Sequence, residues 1–203
     1  WQQLEVGRYG TEFVDLDGET GSTLTLDVNN YTENELHNTV YRCVVTQKTS
    51  DGFESCYTDT ATVKVVKKID SFNELCDVAL QVNLGNPDYT NGYFILTEDI
   101  DTQGEKFLTP IGTVEHPFSG TFDGMGHTID GLYIYDSNPQ YKYGGLFGVV
   151  KNGEIRNLNL TDVNIAVAKA ECGVVCGSIT NGVISNCSVS GVMYNEAVEC
   201  TGG

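Results

Sequence analysis

Basic residues are scarce in this chain, which has 11 lysines and arginines against 28 aspartates and glutamates, a formal net charge of −17. Such a charge repels the phosphates of nucleic acids and the head groups of anionic lipids. Long apolar runs are also missing, because no stretch approaches the roughly 20 residues that a helix needs to cross a bilayer. We therefore expect no nucleic acid partner and no membrane insertion.

Methionine is rare and glycine is common, with 2 and 23 residues in a chain of 203. This composition indicates many tight turns and few long helices, which excludes an all-helical protein. Hydrophobic residues make up 40% of the chain, enough to form a packed core.

The seven cysteines lack the spacing of a metal site. Cys172 and Cys176 are separated by three residues rather than by two or four, and no histidine lies nearby to complete a tetrahedral set. We predict no metal and no other cofactor. Several of the cysteines are then small core hydrophobes.

Residues 1–67 have the pattern of antiparallel strands. Apolar and polar residues alternate with period two over residues 22–28 and 60–65, and another strand is predicted over residues 39–46. Asp51-Gly52 then favours a tight hairpin. These features predict a small sheet domain that ends near residue 67.

Tyr41 lies two residues before Cys43 in this region, and the strands around it resemble strands E, F and G of an immunoglobulin-like sandwich. The resemblance implies that Tyr41 is the corner tyrosine, that Trp1 is the core tryptophan of strand C, and that the domain is truncated at its N-terminus. Cys43 would then lack its usual partner. A strained cross-strand bond from Cys43 to Cys56 is the alternative.

A second region, residues 68–203, follows the predicted junction Lys67-Lys68. Ser71 and Glu74 form a capping box that predicts a short helix over residues 71–83, running through Leu75, Val78 and Leu80. We expect this helix to cover the open end of the strands that follow.

The chain repeats itself from residue 144. Gly144, Gly148, Asn152, Gly153, Ile155 and Asn157 all recur 29 positions later, at Gly173, Gly177, Asn181, Gly182, Ile184 and Asn186. A period between about 20 and 50 residues is typical of solenoids, and short alternating strands with Asn-Gly corners favour a β-solenoid.

An earlier copy matches at a shift of 26. Ile129, Leu132 and Ile134 fall on Ile155, Leu158 and Leu160, and then on Ile184, Cys187 and Val189. This alignment predicts three inward-facing apolar columns. The same shift places Arg156 over Asp130, which predicts an ion pair between neighbouring coils.

Two stretches carry a second resemblance. The sequence GGLFG at residues 144–148, followed by NGxIxN at 152–157, resembles the GLUG motif of bacterial surface proteins and of the non-catalytic part of immunoglobulin A1-cleaving metallopeptidases. Residues 173–177 are a degenerate second copy. The resemblance implies a right-handed parallel β-helix over residues 68–203, on an exported and often wall-attached protein whose chain continues into further domains.

Catalytic motifs are missing. The peptidase relatives carry His-Glu-x-x-His, which does not occur here, and neither a Gly-x-Ser-x-Gly elbow nor a phosphate-binding loop is found. One arrangement keeps an enzymatic alternative open, because the shift of 26 brings Asp136 over Asp162, about 5 Å apart on neighbouring coils. Such a pair fits a polysaccharide-cleaving β-helix, or two turn aspartates.

Outward-facing polar and aromatic residues are the better candidates. If Leu132 and Ile134 point inward, the tyrosines beside them point outward, and amides take the same positions in the next coils. The candidate ligand-binding residues are Tyr133, Tyr135, Tyr141, Tyr143, Asn157, Asn159 and Asn186. Aromatic rings with nearby amides suit a glycan or a protein surface, although these residues are also ordinary for exposed strands.

The sequence as a whole predicts an all-β chain: a partial immunoglobulin-like sandwich followed by the capped first coils of a β-helix. We predict a non-catalytic module of a bacterial cell-surface protein, located outside the cell, that acts in adhesion or in the display of ligands. Its partners would be host or environmental glycans or proteins. A polysaccharide-degrading enzyme and a purely structural stalk are the alternatives.

Overall fold

The computed structural model describes residues 1–7, 10–26, 39–107, 109–136, 143–167 and 171–195. The chain divides into two compact units, Trp1–Val65 (unit 1) and Val66–Gly203 (unit 2). Strands dominate the described residues, with two helices of 12 and 4 residues. The predicted all-β class is therefore confirmed.

The described strands of unit 1 form a four-stranded antiparallel sheet and a two-stranded sheet. The strands are β1 (Gln2–Gly7), β2 (Gly10–Asp15), β3 (Val40–Arg42), β4 (Val44–Thr49), β5 (Gly52–Tyr57) and β6 (Ala61–Thr62). The sheet has the order β2-β1-β3-β6, and β4 pairs with β5. The hairpin predicted from Asp51 and Gly52 is confirmed, since Gly52 begins β5 with φ 138°.

Other expectations for unit 1 are corrected. Residues 22–26 form bends and irregular chain rather than a strand, and residues 27–28 lie outside the described part. Cys56 lies opposite Val45 rather than Cys43, and neither cysteine is disulfide-bonded. The cause is the two-residue turn of the hairpin, which fixes this register.

The guanidinium of Arg42 stacks on two aromatic rings in unit 1. The Arg42 guanidinium lies 3.8 Å from the ring centre of Phe13 and 4.1 Å from that of Tyr57, so it links β2 to the hairpin. Tyr41 on β3 is buried. Trp1 is only half-buried, and its indole N–H donates to the Gly21 carbonyl at 3.0 Å.

Unit 2 begins with a strand and two helices. Strand β7 (Val66–Ile69) contains the lysine pair that was expected to form the junction. Helix α1 spans Phe72–Asn83 and helix α2 spans Pro87–Thr90. The predicted cap of α1 is present, because the Glu74 amide donates to Ser71 Oγ at 3.4 Å, and Glu74 Oε2 accepts the Asp70 amide at 2.8 Å.

Helix α1 buries one face against the strands of unit 2. Leu75, Val78, Ala79 and Val82 belong to the hydrophobic core. Leu80, expected on the same face, is 54% exposed. Position 80 falls outside the i, i+3, i+4, i+7 series of the buried residues, so it faces away from them.

The remaining strands are short. They are β8 (Tyr93–Leu96), β9 (Ile100–Asp101), β10 (Lys106–Phe107), β11 (Thr121–Asp123), β12 (Thr128–Asp130), β13 (Tyr133–Asp136), β14 (Tyr143–Gly144), β15 (Phe147–Lys151), β16 (Glu154–Arg156), β17 (Asn159–Val167), β18 (Glu171–Cys172), β19 (Cys176–Thr180), β20 (Val183–Ser185) and β21 (Ser188–Asn195). All of their named pairings are parallel.

These strands pair from one repeat to the next. We define four repeats, which begin with β8, β11, β16 and β20. The first sheet has the order β7-β8-β11-β16-β20, so each repeat adds one strand to it. A second sheet is formed by the strands that follow, β9 and β10, β12 and β13, then β17 and β21. Strands β14 and β18 form a two-stranded sheet, and strands β15 and β19 form another.

The shift of 29 residues is confirmed for the last repeats. Ile155 pairs with Ile184, Leu160 with Val189, and Phe147 with Cys176. In the second half of β17 the shift becomes 28, because one residue bulges between Leu160 and Val163.

The shift of 26 is wrong. Ile129 pairs with Leu160, and Phe122 takes the place over Ile155. Leu132 therefore does not share a column with Leu158 and Cys187. The residues between Phe122 and Ile129 outnumber those between Ile155 and Leu160 by two, so a longer turn precedes the matching strand. The same correction separates Arg156 from Asp130, since Arg156 pairs with Asp123.

The core lies between the sheets of unit 2. Phenylalanines at its centre touch in series: the ring centres of Phe94 and Phe118 are 6.0 Å apart, those of Phe118 and Phe147 5.3 Å, and those of Phe122 and Phe147 5.4 Å. Cys176 and Cys187, expected in the interior, are half-buried and packed against this core.

Candidate functional site

The predicted tyrosine cluster is divided between two sheets. Tyr133 lies in β13 and Tyr143 in β14, which pairs with β18, and both side chains are half-buried. Tyr135 lies in β13 opposite Ala166. Tyr141 lies outside the described residues.

Two predicted asparagines form a ladder across repeats. Asn157 Nδ2 donates to Asp123 Oδ1 at 2.9 Å, and Asn186 Nδ2 donates to Asn157 Oδ1 at 2.7 Å. Both asparagines have left-handed backbones, with φ 51° and 50°. Asparagine tolerates this conformation better than other side chains with a Cβ, so these residues both turn the chain and join the repeats.

Asn159 is held in the same way. Its Nδ2 donates to the Gly126 carbonyl at 2.8 Å, and its Oδ1 accepts from Ser188 Oγ at 2.7 Å. The amides of these asparagines therefore bind neighbouring repeats. Their geometry explains the stacking of the repeats without any ligand.

A groove crosses the second sheet nearby. It has a volume of about 470 Å³ and is lined by Asp101, Gln103, Gly104, Asp130, Gly131, Tyr133, Asp162 and Asn164. The register explains its composition, because Asp101 pairs with Asp130 and Tyr133 pairs with Asn164. Corresponding positions of three repeats thus form one continuous wall.

The acidic residues of the groove are partly engaged. Asp101 Oδ1 accepts the Gln103 amide at 2.8 Å, and Asp130 Oδ1 accepts from Thr161 Oγ1. Asp162 and Asn164 are exposed. Tyr133 is half-buried, and the Lys106 ammonium lies 5.8 Å from its ring centre. The groove therefore presents hydrogen-bond acceptors beside one aromatic ring.

Of the groove residues, Tyr133 alone was among the predicted ligand-binding residues, and Asp162 was considered only for the enzymatic alternative. Asp162 has φ 48° and lies at the bulge of β17, which turns it out of the regular alternation. Neither the bulge nor the pairing of Asp101 with Asp130 can be recognised without the correct register. The signal in the sequence was the recurrence of aspartate after an apolar strand residue at Ile100 and Ile129.

A charged cluster joins the first three repeats on the other sheet. Arg156 Nε donates to Asp123 Oδ2 at 2.7 Å, Nη1 to Glu154 Oε1 at 3.0 Å, and Nη2 to the Tyr93 hydroxyl at 2.7 Å. Burial alone would raise the pKa of Asp123, but the hydrogen bonds from Asn157, Arg156 and the Met125 amide lower it below its usual range. Its carboxylate is therefore ionised and fully bonded.

Several remaining polar groups have structural partners. Asp99 Oδ1 accepts the Thr128 amide at 2.8 Å and lies 3.1 Å from His127 Nδ1, and these contacts lower the pKa of Asp99. Burial raises the pKa of the Cys176 thiol to about 11, which disfavours a reactive thiolate. Among the residues that the structure describes, no group of three or more His, Cys, Asp or Glu side chains could hold a metal ion.

The carboxylate pair of the enzymatic alternative does not form. Asp136 pairs with Val167 in the parallel register, and Asp162 lies five positions earlier on β17. The two residues are thus separated along the strand direction by about 17 Å, at roughly 3.3 Å per residue. This correction follows directly from the rejected shift of 26.

Comparisons with known proteins give two relatives. The chain is 39% identical over 105 residues to a "Putative Gly-rich membrane protein" of Evansella cellulosilytica. The matched region covers 48% of this chain and 12% of that protein. The chain is 30% identical over 132 residues to "Halomucin" of Haloquadratum walsbyi, which covers 61% of this chain and 1% of that protein. The chain thus spans a small part of each relative. No family model and no solved structure matches it.

No helix in the described part of the chain is both long and apolar enough to cross a membrane.

Proposed function

We propose that this chain is a non-catalytic module of an extracellular cell-surface protein, in which unit 2 is a right-handed parallel β-helix that displays a glycan-binding groove. The β-helix explains why each repeat adds one parallel strand to the same sheets. It also explains the amide ladder along its wall. The GLUG-like and immunoglobulin-like resemblances belong to the same proposal.

The names of the two relatives support a location at the cell surface. One is called a membrane protein and the other a halomucin, and both are far longer than this chain. A net charge of −17 keeps such a surface hydrated and discourages association with other acidic polymers.

The groove is the observation that carries the binding part of the proposal. It exists only because three repeats stack in register, and it places Tyr133 beside the exposed Asp162 and Asn164. A tyrosine ring provides a flat apolar surface for a sugar ring, while carboxylates and amides accept or donate hydrogen bonds to hydroxyls. The aspartates favour a neutral glycan over a uronic acid polymer, because like charges repel.

An array of neutral and uronic-acid-containing oligosaccharides tests this function. We expect binding to neutral members only, without release of reducing ends. Tyr133→Ala should weaken the affinity about threefold to tenfold, since an aromatic contact contributes about 0.5–1.5 kcal/mol. Asp162→Asn retains a side chain that tolerates the left-handed backbone and tests the carboxylate alone.

Tyr143→Ala is the matched control, because Tyr143 lies on β14, outside the groove. Its affinity should equal that of the parent chain. Equal losses in the two tyrosine variants would contradict the assignment of the groove. Absence of any bound oligosaccharide would leave the structural stalk as the function, and formation of new reducing ends would favour the enzyme.

A further inference from the structure

The groove on the second sheet receives side chains from the first three repeats. Asp101 comes from the first repeat, Asp130 and Tyr133 from the second, and Asp162 and Asn164 from the third. The parallel register pairs Asp101 with Asp130 and Tyr133 with Asn164. Each repeat therefore contributes polar groups at corresponding places, and the groove crosses the strands from one repeat to the next.

Left-handed residues line the groove at the same position of each repeat. Gly104, Gly131 and Asp162, which we call the floor, have φ values of 71°, 70° and 48°. A Cβ placed on Gly104 would meet no atom within 4 Å. Glycine leaves the floor without side chains in the first two repeats, whereas Asp162 adds an exposed carboxylate in the third. The floor therefore offers open space that ends beside a hydrogen-bonding group.

Hydrogen bonds between repeats hold the floor in place. The Thr102 amide donates to the Asp130 carbonyl at 3.0 Å, and the Thr102 hydroxyl donates to the Gly131 carbonyl at 2.6 Å. The Gly131 amide donates to the Thr161 carbonyl at 3.0 Å. Thr102 is also 2% exposed, so these bonds are shielded from water. The groove is thus preformed, and binding there requires little ordering of the chain.

The spacing of the repeats favours one form of glycan. Neighbouring strands lie about 4.8 Å apart, which is comparable to the advance of an extended glycan from one sugar ring to the next. A single ring reaches the polar groups of two repeats at most, whereas three consecutive rings reach all three. The groove volume of about 470 Å³ lies within the range of roughly 300–1,000 Å³ that is typical of ligand sites.

We propose that the groove binds three consecutive rings of an unbranched neutral glycan, one ring per repeat, an inference that rests on the glycan function proposed above. The middle ring stacks on Tyr133. The ring in the third repeat donates to Asp162 and accepts from Asn164, and the ring in the first repeat donates to Asp101. Asp101 Oδ1 already accepts the Gln103 amide, which uses one of about four lone-pair sites of the carboxylate.

Three series of unbranched oligosaccharides test the length of the site. They contain β-1,4-linked glucose, β-1,4-linked mannose or β-1,3-linked glucose, from the monosaccharide to the pentasaccharide, and isothermal titration calorimetry measures their affinities. In at least one series we expect the affinity to rise at least about tenfold from the monosaccharide to the trisaccharide and less than about twofold beyond it.

Two kinds of failure are distinguishable in this experiment. Equal affinity for all lengths, a continued rise beyond three rings, or binding of branched glycans alone would overturn the inference and leave the glycan function intact. Absence of binding in all three series and across the oligosaccharide array would refute the glycan function as well.

Gly104→Asn tests where the chain lies. Asparagine tolerates the left-handed backbone, and its side chain enters the open space of the first repeat. The affinity for the trisaccharide should fall to that of the disaccharide, whose own affinity should stay within about twofold of its value in the parent chain. Unchanged trisaccharide affinity, or equal losses for all lengths, would contradict one ring per repeat.

Gly126→Asn is the matched control. Gly126 has φ 86°, a Cβ placed on it would also meet no atom within 4 Å, and it does not line the groove. Its affinities for all lengths should equal those of the parent chain. Both variants should keep the far-ultraviolet circular dichroism spectrum of the parent, so that a loss of binding reports the groove rather than the fold.

Discussion

The strands of the two units differ in how much apolar surface they bury. In the described part of unit 1, Tyr41 is the single buried apolar side chain, whereas the hydrophobic core cluster lies entirely in unit 2. Phe53 and Tyr57 of the unit 1 hairpin are 74% and 56% exposed. A two-stranded hairpin shields little of either face, while the parallel strands of unit 2 bury the same columns in the first three repeats.

This difference shows where stability resides. In unit 2 the interior is formed by corresponding residues of successive repeats, so each strand is supported by the strand before it. Among the described residues of unit 1, the Arg42 guanidinium stacks on the rings of Phe13 and Tyr57. Substitutions in the buried columns of unit 2 should therefore lower the free energy of unfolding far more than substitutions in unit 1.

The largest expected effect comes from Phe122→Ala. Phe122 is 0% exposed and lies in the column over Ile155, so its removal should lower the free energy of unfolding of unit 2 by about 3–5 kcal/mol. Phe53→Ala is the matched control in unit 1, with a change within about 0.5 kcal/mol. Urea denaturation followed by far-ultraviolet circular dichroism measures both, and a similar loss in the two variants would remove the contrast.

Removal of the cation that joins three repeats should be the next largest effect. Arg156→Met leaves the buried Asp123 carboxylate without its ion pair, and we expect a loss of about 2 kcal/mol, below the range for a fully buried pair. Glu154→Gln, which changes the other and more exposed partner, should cost less than about 1 kcal/mol.

The same pair gives a pH dependence. Because the folded pKa of Asp123 is lowered, its contribution to stability is complete above the ordinary aspartate pKa of about 3.9 and is lost as the pH falls through the folded value. Arg156→Met should remove part of this acid-dependent loss, because the hydrogen bond from Asn157, the largest cause that lowers the pKa of Asp123, remains. An unchanged slope of stability against pH below 4 would contradict the role of the pair.

Two substitutions of Asn157 separate the contribution of its left-handed backbone from that of the amide ladder. Asn157→Ala keeps a Cβ at φ 51° without the polar side chain that tolerates this conformation, and it breaks the ladder. We therefore expect the free energy of unfolding of unit 2 to fall by about 1–2 kcal/mol. Asn157→Gly keeps the backbone conformation and loses only the ladder, so it should cost about half as much. Thermal denaturation compares the two, and equal losses would show that the left-handed backbone adds nothing.

The smallest effect is expected in unit 1. Arg42→Ala should cost about 0.5–1 kcal/mol, because the stacked cation is accessible to water. Trp1 is the single tryptophan of the chain, so its fluorescence reports unit 1 alone. A loss above the Arg156→Met value would reverse the comparison between the units.

Local signals predicted part of this architecture. The capping box fixed the start of α1 through Ser71 and Glu74, and the gapless recurrence of Asn-Gly corners gave the shift of 29. These features depend on neighbouring residues or on identical turn lengths, so they can be identified in the sequence. Asn157 and Asn186 were placed at corresponding positions for the same reason, and their side chains are hydrogen-bonded to each other.

The earlier repeats and the groove could not be predicted in this way. Strand alternation has a period of two and does not report how many residues a turn contains, so the longer turn after Phe122 shifted the alignment. Tyr133 was therefore placed beside Asn157 and Asn159, although it pairs with Asn164. The bulge at Asp162 is a tertiary feature of β17 that no period in the sequence indicates.

The most direct test of the stacked repeats is a measurement of scalar couplings across hydrogen bonds by nuclear magnetic resonance in the deuterated chain. The account predicts a coupling from the Val183 amide nitrogen to the Gly153 carbonyl carbon, and another from the Glu154 nitrogen to the Gly120 carbonyl, across bonds of 2.9 Å. Couplings from Glu154 to any other carbonyl, or none between the repeats, would contradict it.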